Sequence, residues 1–322
     1  MSRPPVALGG WSRQARPPNA FERKFAMHIG LVGLGKMGGN MRTRMREAGL
    51  TVVGYDRNPD LADVASLAEM VEALPSPKVV WVMVPAGDPT RSTIEELKGL
   101  LGEGDVVVDG GNSKYTDDAK NAANLAEKGI GFVDCGVSGG VWGLQNGYAL
   151  MYGGSDEDAA KVMPAFEALK PSGTEDGLVH CGTTPGAGHF SKMVHNGIEY
   201  AMMQAYAEGW ELLDKVDIVD NVPEIFASWR TGTVVRSWLL DLLVDQLRAD
   251  EHLDKIKGYA DDSGEGRWTV EAAIENAVPM PAISASLFAR FVSRQEDDHA
   301  MKAIAAMRNG FGGHAVISES EA

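Results

Sequence analysis

The chain has 322 residues, of which 44% are hydrophobic and 23% charged, a composition that suits one large or two ordinary folded domains. The formal net charge is −15 and no run of Lys and Arg occurs, which argues against nucleic acid or an anionic membrane as a main partner. Two cysteines, Cys135 and Cys181, are too few for a disulfide framework and fit a reducing cytoplasm, and no apolar run approaches the roughly 18 residues that span a bilayer.

The first 26 residues differ in composition from the rest of the chain. They are rich in Arg, Pro and Gly, show no periodicity, and hold four arginines and a single acidic residue. A transit peptide is conceivable on that composition, whereas a secretory signal is not, because an apolar region is missing. We interpret residues 1–26 as a disordered extension or as the result of a start codon placed too early.

From Met27 onward, apolar runs of strand character alternate with helical patterns. The predicted strands are HIGLVG, TVVGYD, VVWVMVP, DVVVDGG, GFVDCGV, YALMYGG and LVHCG. Helices are predicted between them near 37–48, 61–73, 90–101, 115–128 and 156–170. Continuous apolar strands separated by helices indicate an α/β fold with a doubly wound, mostly parallel sheet. After Gly182 the strand signal stops, and one long helix from Pro185 to about Lys215 begins a region that is helical until a Gly-rich tail at 308–322.

A glycine-rich turn follows the first predicted strand and opens the first predicted helix. The pattern G-x-G-x-x-G is formed by Gly33, Leu34, Gly35, Lys36, Met37 and Gly38. This context is what a dinucleotide fingerprint needs: a tight turn, close approach of the backbone to a pyrophosphate, and a helix N-terminus directed at it. The sequence therefore predicts a Rossmann dinucleotide-binding domain over 27–183, followed by an all-helical domain for substrate binding and dimerisation over 184–322.

Two neighbouring residues bear on the choice of cofactor. Asp56 ends the second predicted strand, 18 residues beyond Gly38. A carboxylate there suits the ribose diol and repels a 2′-phosphate, which favours NAD, whereas Arg57 could pair with the phosphate of NADP. We predict NAD, with NADP and an unusual acceptor such as a deazaflavin as open alternatives. Val84, at the end of the third apolar run, and Asn112 complete the predicted cofactor contacts.

Polar and glycine residues follow the fourth and fifth predicted strands. Asn112 comes just past the fourth strand, and Ser138, Gly139 and Gly140 end the fifth. The carboxyl ends of strands are where ligands of open sheets bind, and glycines let a ligand approach free backbone N–H groups. For either loop alone, a turn-building role is as good an interpretation as a functional one.

The long helix carries a polar stripe among apolar residues. The stripe consists of Lys192, His195, Asn196, Glu199 and Tyr200, at i, i+3, i+4, i+7 and i+8. A solvated face is the ordinary explanation, but a helix that is apolar on nearly all other faces is usually buried. Because a buried Lys or Glu is costly unless paired or used, we interpret the stripe as a polar island facing a cleft.

Lys192 and Glu199 stand about 10.5 Å apart along the helix axis, a spacing that brackets a small molecule between a base and an acid. His195, on its own, would most often be a polar residue satisfied within the structure. Its place between Lys192 and Asn196 makes it a predicted substrate contact. A metal is not expected, because the histidines are scattered and no carboxylate cluster has ligand spacing.

From Met27 to the tail, the chain resembles the decarboxylating 6-phosphogluconate dehydrogenases, specifically their short form, within the β-hydroxyacid dehydrogenase superfamily. The matching motifs span almost the whole chain, and the one at 192–200 is highly specific. They are GLGKMG (33–38), GGNS (110–113), GVSGG (136–140), KMVHNGIEY (192–200), FAR (288–290) and RNGFGGH (308–314).

The resemblance implies an oxidoreductase of the pentose phosphate pathway and of gluconate utilisation. Such an enzyme oxidises and decarboxylates 6-phospho-D-gluconate to D-ribulose 5-phosphate and CO2, with hydride transfer to NAD or NADP. In that family the lysine matched by Lys192 is the general base, and the glutamate matched by Glu199 is the general acid. The resemblance also implies contacts to the sugar acid or its phosphate for Asn112, Ser138, Gly139, Gly140, His195, Asn196, Tyr200 and Arg290.

The C-terminal region predicts an oligomer. The aromatic- and Leu-rich stretch at 225–243 belongs to a helical region too short to bury its apolar surface alone, so at least a dimer is expected. The resemblance implies that Arg308 and His314 reach a phosphate in the neighbouring subunit's site. We predict a homodimer or homotetramer with shared active sites, although a disordered tail without function is the ordinary interpretation of a Gly-rich terminus.

One stretch departs from the family. The long form carries Lys and Thr in a GxKGTGxW stretch, where this chain reads DSGEGRWT at 262–269. Glu265 stands in the place of the threonine, and the lysine has no clear counterpart. The sequence leaves open which groups replace the family's Lys and Thr phosphate contacts near residues 262–268.

Two other functions fit parts of the pattern. A β-hydroxyacid dehydrogenase of the 3-hydroxyisobutyrate type shares the fold, a glycine loop and the lysine, but has no reason to carry His195, Glu199 and Arg290. A non-catalytic NAD-binding regulator could keep the fold, although intact Lys192 and Glu199 argue against it. One assay for CO2 release discriminates between these functions.

Overall fold

The computed structural model describes residues 27–312 together with Ala315 and Ile317. The interpretation of residues 1–26 and the predicted role of His314 lie outside the described residues. Within the described part of the chain, no helix is both long and apolar enough to cross a membrane.

Seven strands form one sheet, as the sequence predicts. They are β1 (His28–Val32), β2 (Thr51–Tyr55), β3 (Val79–Val82), β4 (Val106–Asp109), β5 (Gly131–Ser138), β6 (Ala149–Gly154) and β7 (Leu178–Gly182). Their order across the sheet is β2-β1-β3-β4-β5-β6-β7. The first five pair in parallel, β6 pairs with β5 in antiparallel fashion, and β7 is parallel to β6. The expectation of a doubly wound, mostly parallel sheet is confirmed.

Helices cover both faces of this sheet. They are α1 (Lys36–Glu47), α2 (Leu67–Glu72), α3 (Asp88–Leu100), α4 (Tyr115–Ala126), α5 (Gly143–Asn146) and α6 (Asp156–Leu169). Successive side chains of a strand point to opposite faces of the sheet, so each strand contributes side chains to two hydrophobic cores. Trp81 belongs to the core shared with α1 and α6, and its neighbours Val80 and Val82 belong to the core shared with α2 and α3. Burial on both faces explains why the strands read as continuous apolar runs.

The helix α2 is shorter than the predicted helix at 61–73. It begins at Leu67 because the hydroxyl of Ser66 accepts the N–H of Glu69 at 3.1 Å, while Glu69 Oε2 accepts the N–H of Ala65 at 2.9 Å. Before this cap, Asp63 Oδ2 accepts the N–H of Gly54 at 2.7 Å, so the segment is tied to β2 rather than wound into the helix.

The rest of the described chain is mainly helical, as predicted. Residues 250–264 form turns and irregular structure, and the last helix runs through Gly312, into the stretch predicted as a Gly-rich tail. The helices are α7 (Ala187–Lys215), α8 (Val222–Ser228), α9 (Trp238–Ala249), α10 (Glu265–Glu275), α11 (Pro281–Val292) and α12 (His299–Gly312). The predicted domain boundary at 183–184 falls in the turn between β7 and α7.

The first turn of α7 is anchored on the sheet by one carboxylate. Asp134, on β5, accepts the N–H of Gly186 at 2.7 Å and the N–H of His189 at 2.8 Å. These are N–H groups that the helix itself leaves without a partner, and a negative charge at a helix N-terminus is favourable. A Cβ at Gly188 would clash with the Met151 carbonyl oxygen and lie 2.8 Å from Asp134 Oδ2. The helix therefore lies directly against the backbone of the sheet.

We predict that Gly188→Ala destabilises the chain by about 1–3 kcal/mol, because the added methyl group meets backbone that cannot move without displacing α7. Gly209→Ala is the matched control on the same helix, where an added Cβ has no neighbour within 4 Å. That control should gain about 0.5–1 kcal/mol from helix propensity. Urea unfolding midpoints measure both changes, and equal stability of Gly188→Ala and the native chain would contradict the close packing described here.

Candidate active site

A cleft of about 780 Å³ opens at the carboxyl ends of β1, β3 and β4. The chain leaves β1 toward β2 on one side and returns to β3 on the other, so the cleft lies at the point where the strand order reverses, which is where open α/β sheets bind ligands. Nine of the predicted cofactor contacts line it: Gly33, Gly35, Lys36, Met37, Gly38, Asp56, Arg57, Val84 and Asn112.

The glycine-rich turn forms a cradle at the start of α1. Gly33 has φ +91°, a conformation that L side chains rarely adopt, and a Cβ there would lie 2.8 Å from the Met83 carbonyl carbon. At Gly35, in contrast, an added Cβ would have no neighbour within 4 Å, so the backbone there is open to the cleft. Open backbone at a helix N-terminus is what a pyrophosphate needs, and the turn fits a dinucleotide.

Asp56 directly follows β2 beside this cradle and holds it in place. Its Oδ2 accepts the N–H of Leu34 at 2.6 Å, and its Oδ1 accepts the N–H of Asn58 at 2.8 Å. Leu34 itself is 3% exposed, so it contributes backbone rather than side chain to the site. A carboxylate oxygen accepts more than one hydrogen bond, which leaves Asp56 able to receive a ribose hydroxyl as well. Arg57 lines the same cleft, so this side of the cleft is compatible with both NAD and NADP.

Lys192 reaches the cleft from α7. The residue is 8% exposed, and its ammonium group donates to Asn112 Oδ1 and, at 3.1 Å, to Glu265 Oε1. Asn112 follows β4, so the contact joins the helical part of the chain to the nucleotide cleft. A Cβ at Gly136 would lie 2.8 Å from Lys192 Cγ, which means that this glycine makes room for the lysine stem. The sequence interpretation missed Gly136, although the residue opens the motif GVSGG.

Glu265 is a further site residue that the sequence interpretation did not assign. It is the first residue of α10, is 1% exposed, and forms an ion pair with Lys192. Burial raises the pKa of Glu265, and the positive charge of Lys192 acts in the opposite direction. The sequence feature that could have identified Glu265 is the departure from the resembled family at 262–269, where a carboxylate replaces the threonine.

The polar stripe of α7 is only partly enclosed. Lys192 and Tyr200 are buried, Asn196 and Glu199 are half-buried, and His195 is exposed, with its Nδ1 2.9 Å from Asn196 Oδ1. The expectation of a helix buried nearly all round is wrong for the single chain. Four large apolar side chains of α7 are exposed: Phe190, Ile198, Met202 and Leu212.

The far end of the stripe meets α11. The Tyr200 hydroxyl accepts the N–H of Ser263 at 2.9 Å, and the guanidinium carbon of Arg290 lies 3.5 Å from the centre of the Tyr200 ring. Arg290 also donates to the Asp261 carbonyl at 2.8 Å. The structure thus brings Tyr200 and Arg290 together, as a cation–π pair. Arg308 is exposed on α12.

The loop after β5 has the open backbone that the sequence predicts. Ser138 ends the strand, and Gly139 and Gly140 have φ values of +141° and +53°. A Cβ at Gly140 would have no neighbour within 4 Å. Asn40 Nδ2 donates to the Val141 carbonyl at 3.2 Å and so links this loop to α1.

Three acidic groups surround a buried histidine one turn before Lys192. His189 Nδ1 lies 2.8 Å from Asp118 Oδ2, and ligand atoms of Asp109, Asp118 and His189 all lie within 4.8 Å of one another. Burial disfavours the imidazolium form, but the carboxylates of Asp118, Asp109 and Asp134 outweigh it and raise the pKa of His189 to about 10. Asp109 already accepts bonds from Gly111 and Ser113, so we interpret the group as a polar network that holds α4 and α7 to the sheet. The expectation that the site uses no metal stays a prediction.

The chain matches family models over most of its length. Residues 28–174 match the NAD binding domain of 6-phosphogluconate dehydrogenase, and residues 188–319 match the 6-phosphogluconate dehydrogenase C-terminal domain. The NAD(+)-dependent, decarboxylating 6-phosphogluconate dehydrogenase of Haloferax volcanii is 37% identical over 305 residues, which cover 92% of this chain and 100% of that protein.

Two further comparisons concern longer proteins. The NAD(+)-dependent, decarboxylating 6-phosphogluconate dehydrogenase of Bacillus subtilis is 37% identical over 84% of this chain and 62% of its own length. A solved structure of Plasmodium falciparum 6-phosphogluconate dehydrogenase, described in apo form, with its cofactor NADP+ and with its substrate 6-phosphogluconate, is similar with a TM-score of 0.72. It is 26% identical over 92% of this chain and 67% of that one. The chain belongs to the 6-phosphogluconate dehydrogenase family.

Proposed function

We propose that the protein oxidises and decarboxylates 6-phospho-D-gluconate to D-ribulose 5-phosphate and CO2, with hydride transfer to NAD or NADP. The observation that carries this proposal is the position of Lys192, whose ammonium group contacts Asn112 in the wall of the nucleotide cleft. A proton-transferring group beside a hydride acceptor is what oxidation of a secondary alcohol needs. The open turn at Gly35 and the Asp56 carboxylate support NAD(P) as the acceptor.

In the proposal, Lys192 carries out the first proton transfer. A nicotinamide held in the cleft would accept the hydride from C3 of the sugar acid. Lys192 removes the proton of the C3 hydroxyl, which leaves a β-keto acid. The carboxylate then leaves as CO2 because the ketone accepts the electron pair, and the ammonium of Lys192 stabilises the developing enolate oxygen by returning its proton. A cation at this oxygen supplies the charge stabilisation that a metal would otherwise give.

The second proton transfer falls to Glu199, two turns further along α7. Its side chain is half-buried on the same face as Lys192. In the proposal, Glu199 protonates the carbon that has lost CO2, which becomes C1 of ribulose 5-phosphate. The enediol hydroxyl loses its proton to solvent as the ketone forms, and Glu199 regains a proton from solvent before the next turnover. The contacts proposed for Ser138, Gly139, Gly140, His195 and Asn196 hold the acid between these two groups.

The phosphate requires positive charge gathered locally, because the chain as a whole carries −15. Arg290 is placed for this by its stacking on Tyr200. Arg267 and Arg294 are already paired with Asp262, which they contact at 2.6 and 2.7 Å. We propose that Arg308 and His314 complete the phosphate site from a neighbouring subunit.

Exposed apolar side chains support a homodimer or homotetramer. On α12, Met301, Ile304 and Met307 are spaced three residues apart and are 54%, 42% and 61% exposed. Phe288 and Val292 on α11 are similarly uncovered, at 58% and 56%. Exposing such an apolar surface to water is unfavourable unless another copy of the chain covers it. A helix that exposes its apolar stripe and carries Arg308 is suited to pack on a second subunit.

The turnover assay that tests the function measures reduced cofactor and CO2 from 6-phosphogluconate with NAD, NADP and a deazaflavin. The native chain should release one CO2 for each hydride transferred, and Lys192→Met should lower kcat by about 10² or more, because the base and the enolate-stabilising cation are both lost. Lys215→Met, at the exposed end of α7, is the matched control and should keep native kcat. Hydride transfer without CO2 would instead favour a 3-hydroxyisobutyrate type of dehydrogenase, and binding of NAD without turnover would favour a regulator.

Cofactor choice gives a second prediction. Asp56→Ser should weaken NAD and improve NADP, because it removes the acceptor for the ribose diol and the charge that repels a 2′-phosphate. KM for both cofactors measures the change, and Asp60→Ser in the same loop, outside the cleft, is the control. If the native enzyme already prefers NADP by a wide margin, Arg57 rather than Asp56 decides the choice.

Shared sites give a third prediction. Lys192→Met and Arg308→Ala subunits, each inactive alone, should regain activity when they are mixed and reassociated, because one hybrid site then receives both intact groups. Lys192→Met reassociated with itself controls for the procedure. Mixed oligomers that form but stay as inactive as their parents would show that the tail serves its own subunit or none.

A further inference from the structure

The ion pair between Lys192 and Glu265 lies inside the proposed site, and the packing of two helices fixes both of its side chains. Its two side chains come from positions 73 residues apart and meet because α10 packs on α7. Thr269, one turn after Glu265, donates its hydroxyl to the Met193 carbonyl at 2.9 Å. A Cβ at Gly266 would lie 2.6 Å from the Tyr200 ring, so the two helices are in close contact. The carboxylate is therefore fixed against the lysine by packing.

The Glu265 carboxylate has too few donors for a buried anion. Oε1 receives Lys192, while Oε2 is buried and has no hydrogen-bond partner within the described part of the chain. An ionised carboxylate accepts about four hydrogen bonds, and leaving it unsatisfied in the interior is costly. Burial accordingly raises the pKa of Glu265, against the charges of Lys192, His189 and His195. From α11, the other helix packed on α10, the one charged side chain is Arg290, which stacks on Tyr200.

The proposed function creates a chemical problem that this carboxylate resolves. A lysine held as ammonium has no lone pair, so it cannot accept the proton of the C3 hydroxyl. The arriving sugar acid displaces water from around the pair, and desolvation disfavours the charged form of both groups, as burial already does for Glu265. The proton between Lys192 and Glu265 is then better placed on the oxygen than on the nitrogen.

We propose that Glu265 is a positioning residue that takes the ammonium proton of Lys192 when the sugar acid binds, and so primes Lys192 as the base. This inference rests on the proposed function. An N–H bond of Lys192 breaks, an O–H bond of Glu265 forms, and the lone pair left on nitrogen then accepts the C3 hydroxyl proton. Glu265 keeps its proton through the decarboxylation and returns it to Lys192 when the product leaves, so the pair carries one proton before and after turnover.

The test is the pH profile of kcat/KM for Glu265→Gln, a variant of the same size that can still accept a hydrogen bond from Lys192 but cannot take its proton. In the native chain, kcat/KM falls on the acid side of the profile, the acid limb, because the Lys192–Glu265 pair binds a second proton. In the variant, Lys192 must lose its proton to solvent, so the limb should move up by at least about one unit, toward the range near 10 where lysines ordinarily titrate. Activity at pH 7 should fall about tenfold for each unit and recover as the pH rises.

Two further variants control this experiment. Glu265→Asp keeps a carboxylate on a shorter stem and should restore the limb to near its native position with a lower kcat. Glu271→Gln removes a carboxylate from the same helix, where Glu271 pairs with Lys114 at 2.8 Å outside the cleft, and should leave the limb unchanged. Thermal unfolding of each variant separates loss of folding from loss of function.

A second readout needs no turnover. Calorimetric binding of 6-phosphogluconate to the native chain, in two buffers of different ionisation enthalpy, should show no proton exchanged with the buffer, because the proton moves within the pair. Uptake or release of about one proton per site contradicts the proposal. So does an unmoved limb in Glu265→Gln, or a kcat that falls equally at every pH. A native chain that never turns over 6-phosphogluconate contradicts the proposed function itself, whereas normal native turnover with an unmoved limb contradicts this inference alone.

Discussion

The hydrogen bonds from the start of α7 to Asp134 set the geometry on which the candidate site depends. With Gly186 and His189 both donating to one carboxylate on β5, the first turn of a 29-residue helix cannot shift along the sheet. Lys192 follows one turn later, so its position relative to the strand ends is fixed by the backbone rather than by the flexible lysine stem. The glycines that face this turn, Gly136 and Gly153, allow the approach because neither brings a Cβ.

Charge explains how an acidic chain of net charge −15 can bind a phosphorylated acid. Positive groups are held where acidic partners are few: Arg290 lies on an aromatic ring and donates to a backbone carbonyl, and Lys192 has one carboxylate partner that is itself short of donors. Arg267 and Arg294, in contrast, are neutralised by Asp262, whose pKa they lower to about 2. Arg267 and Arg294 thus stabilise the loop before α10, and the proposed function leaves Arg290 to receive the phosphate.

Sequence analysis predicted what depends on local pattern. All seven strands, the glycine turn and the long helix follow from periodicity and from motifs whose residues are adjacent in the chain. The pairing of Lys192 with Glu265 depends on α10 packing against α7, which periodicity does not report, so Glu265 could be noticed only as a departure from the family pattern. The exposure of Ile198 and Met202 could not be predicted either, because an apolar helix face has the same sequence pattern whether its own chain or a second subunit covers it. The start of α2 was misplaced because Asp63 binds the β2 backbone, a contact between separate elements.

The central claim is that Lys192 faces the reacting carbon from the wall of the cofactor cleft. A crystal structure of the native chain with 6-phosphogluconate and the reduced cofactor, which cannot accept a hydride, tests it most directly. The account predicts the C3 hydroxyl oxygen within about 3 Å of Lys192 Nζ, the hydrogen-bond distance that proton transfer needs, with C3 facing the nicotinamide. A sugar acid bound with C3 turned away from Lys192, or with its carboxylate paired to the lysine in place of the hydroxyl, would contradict it.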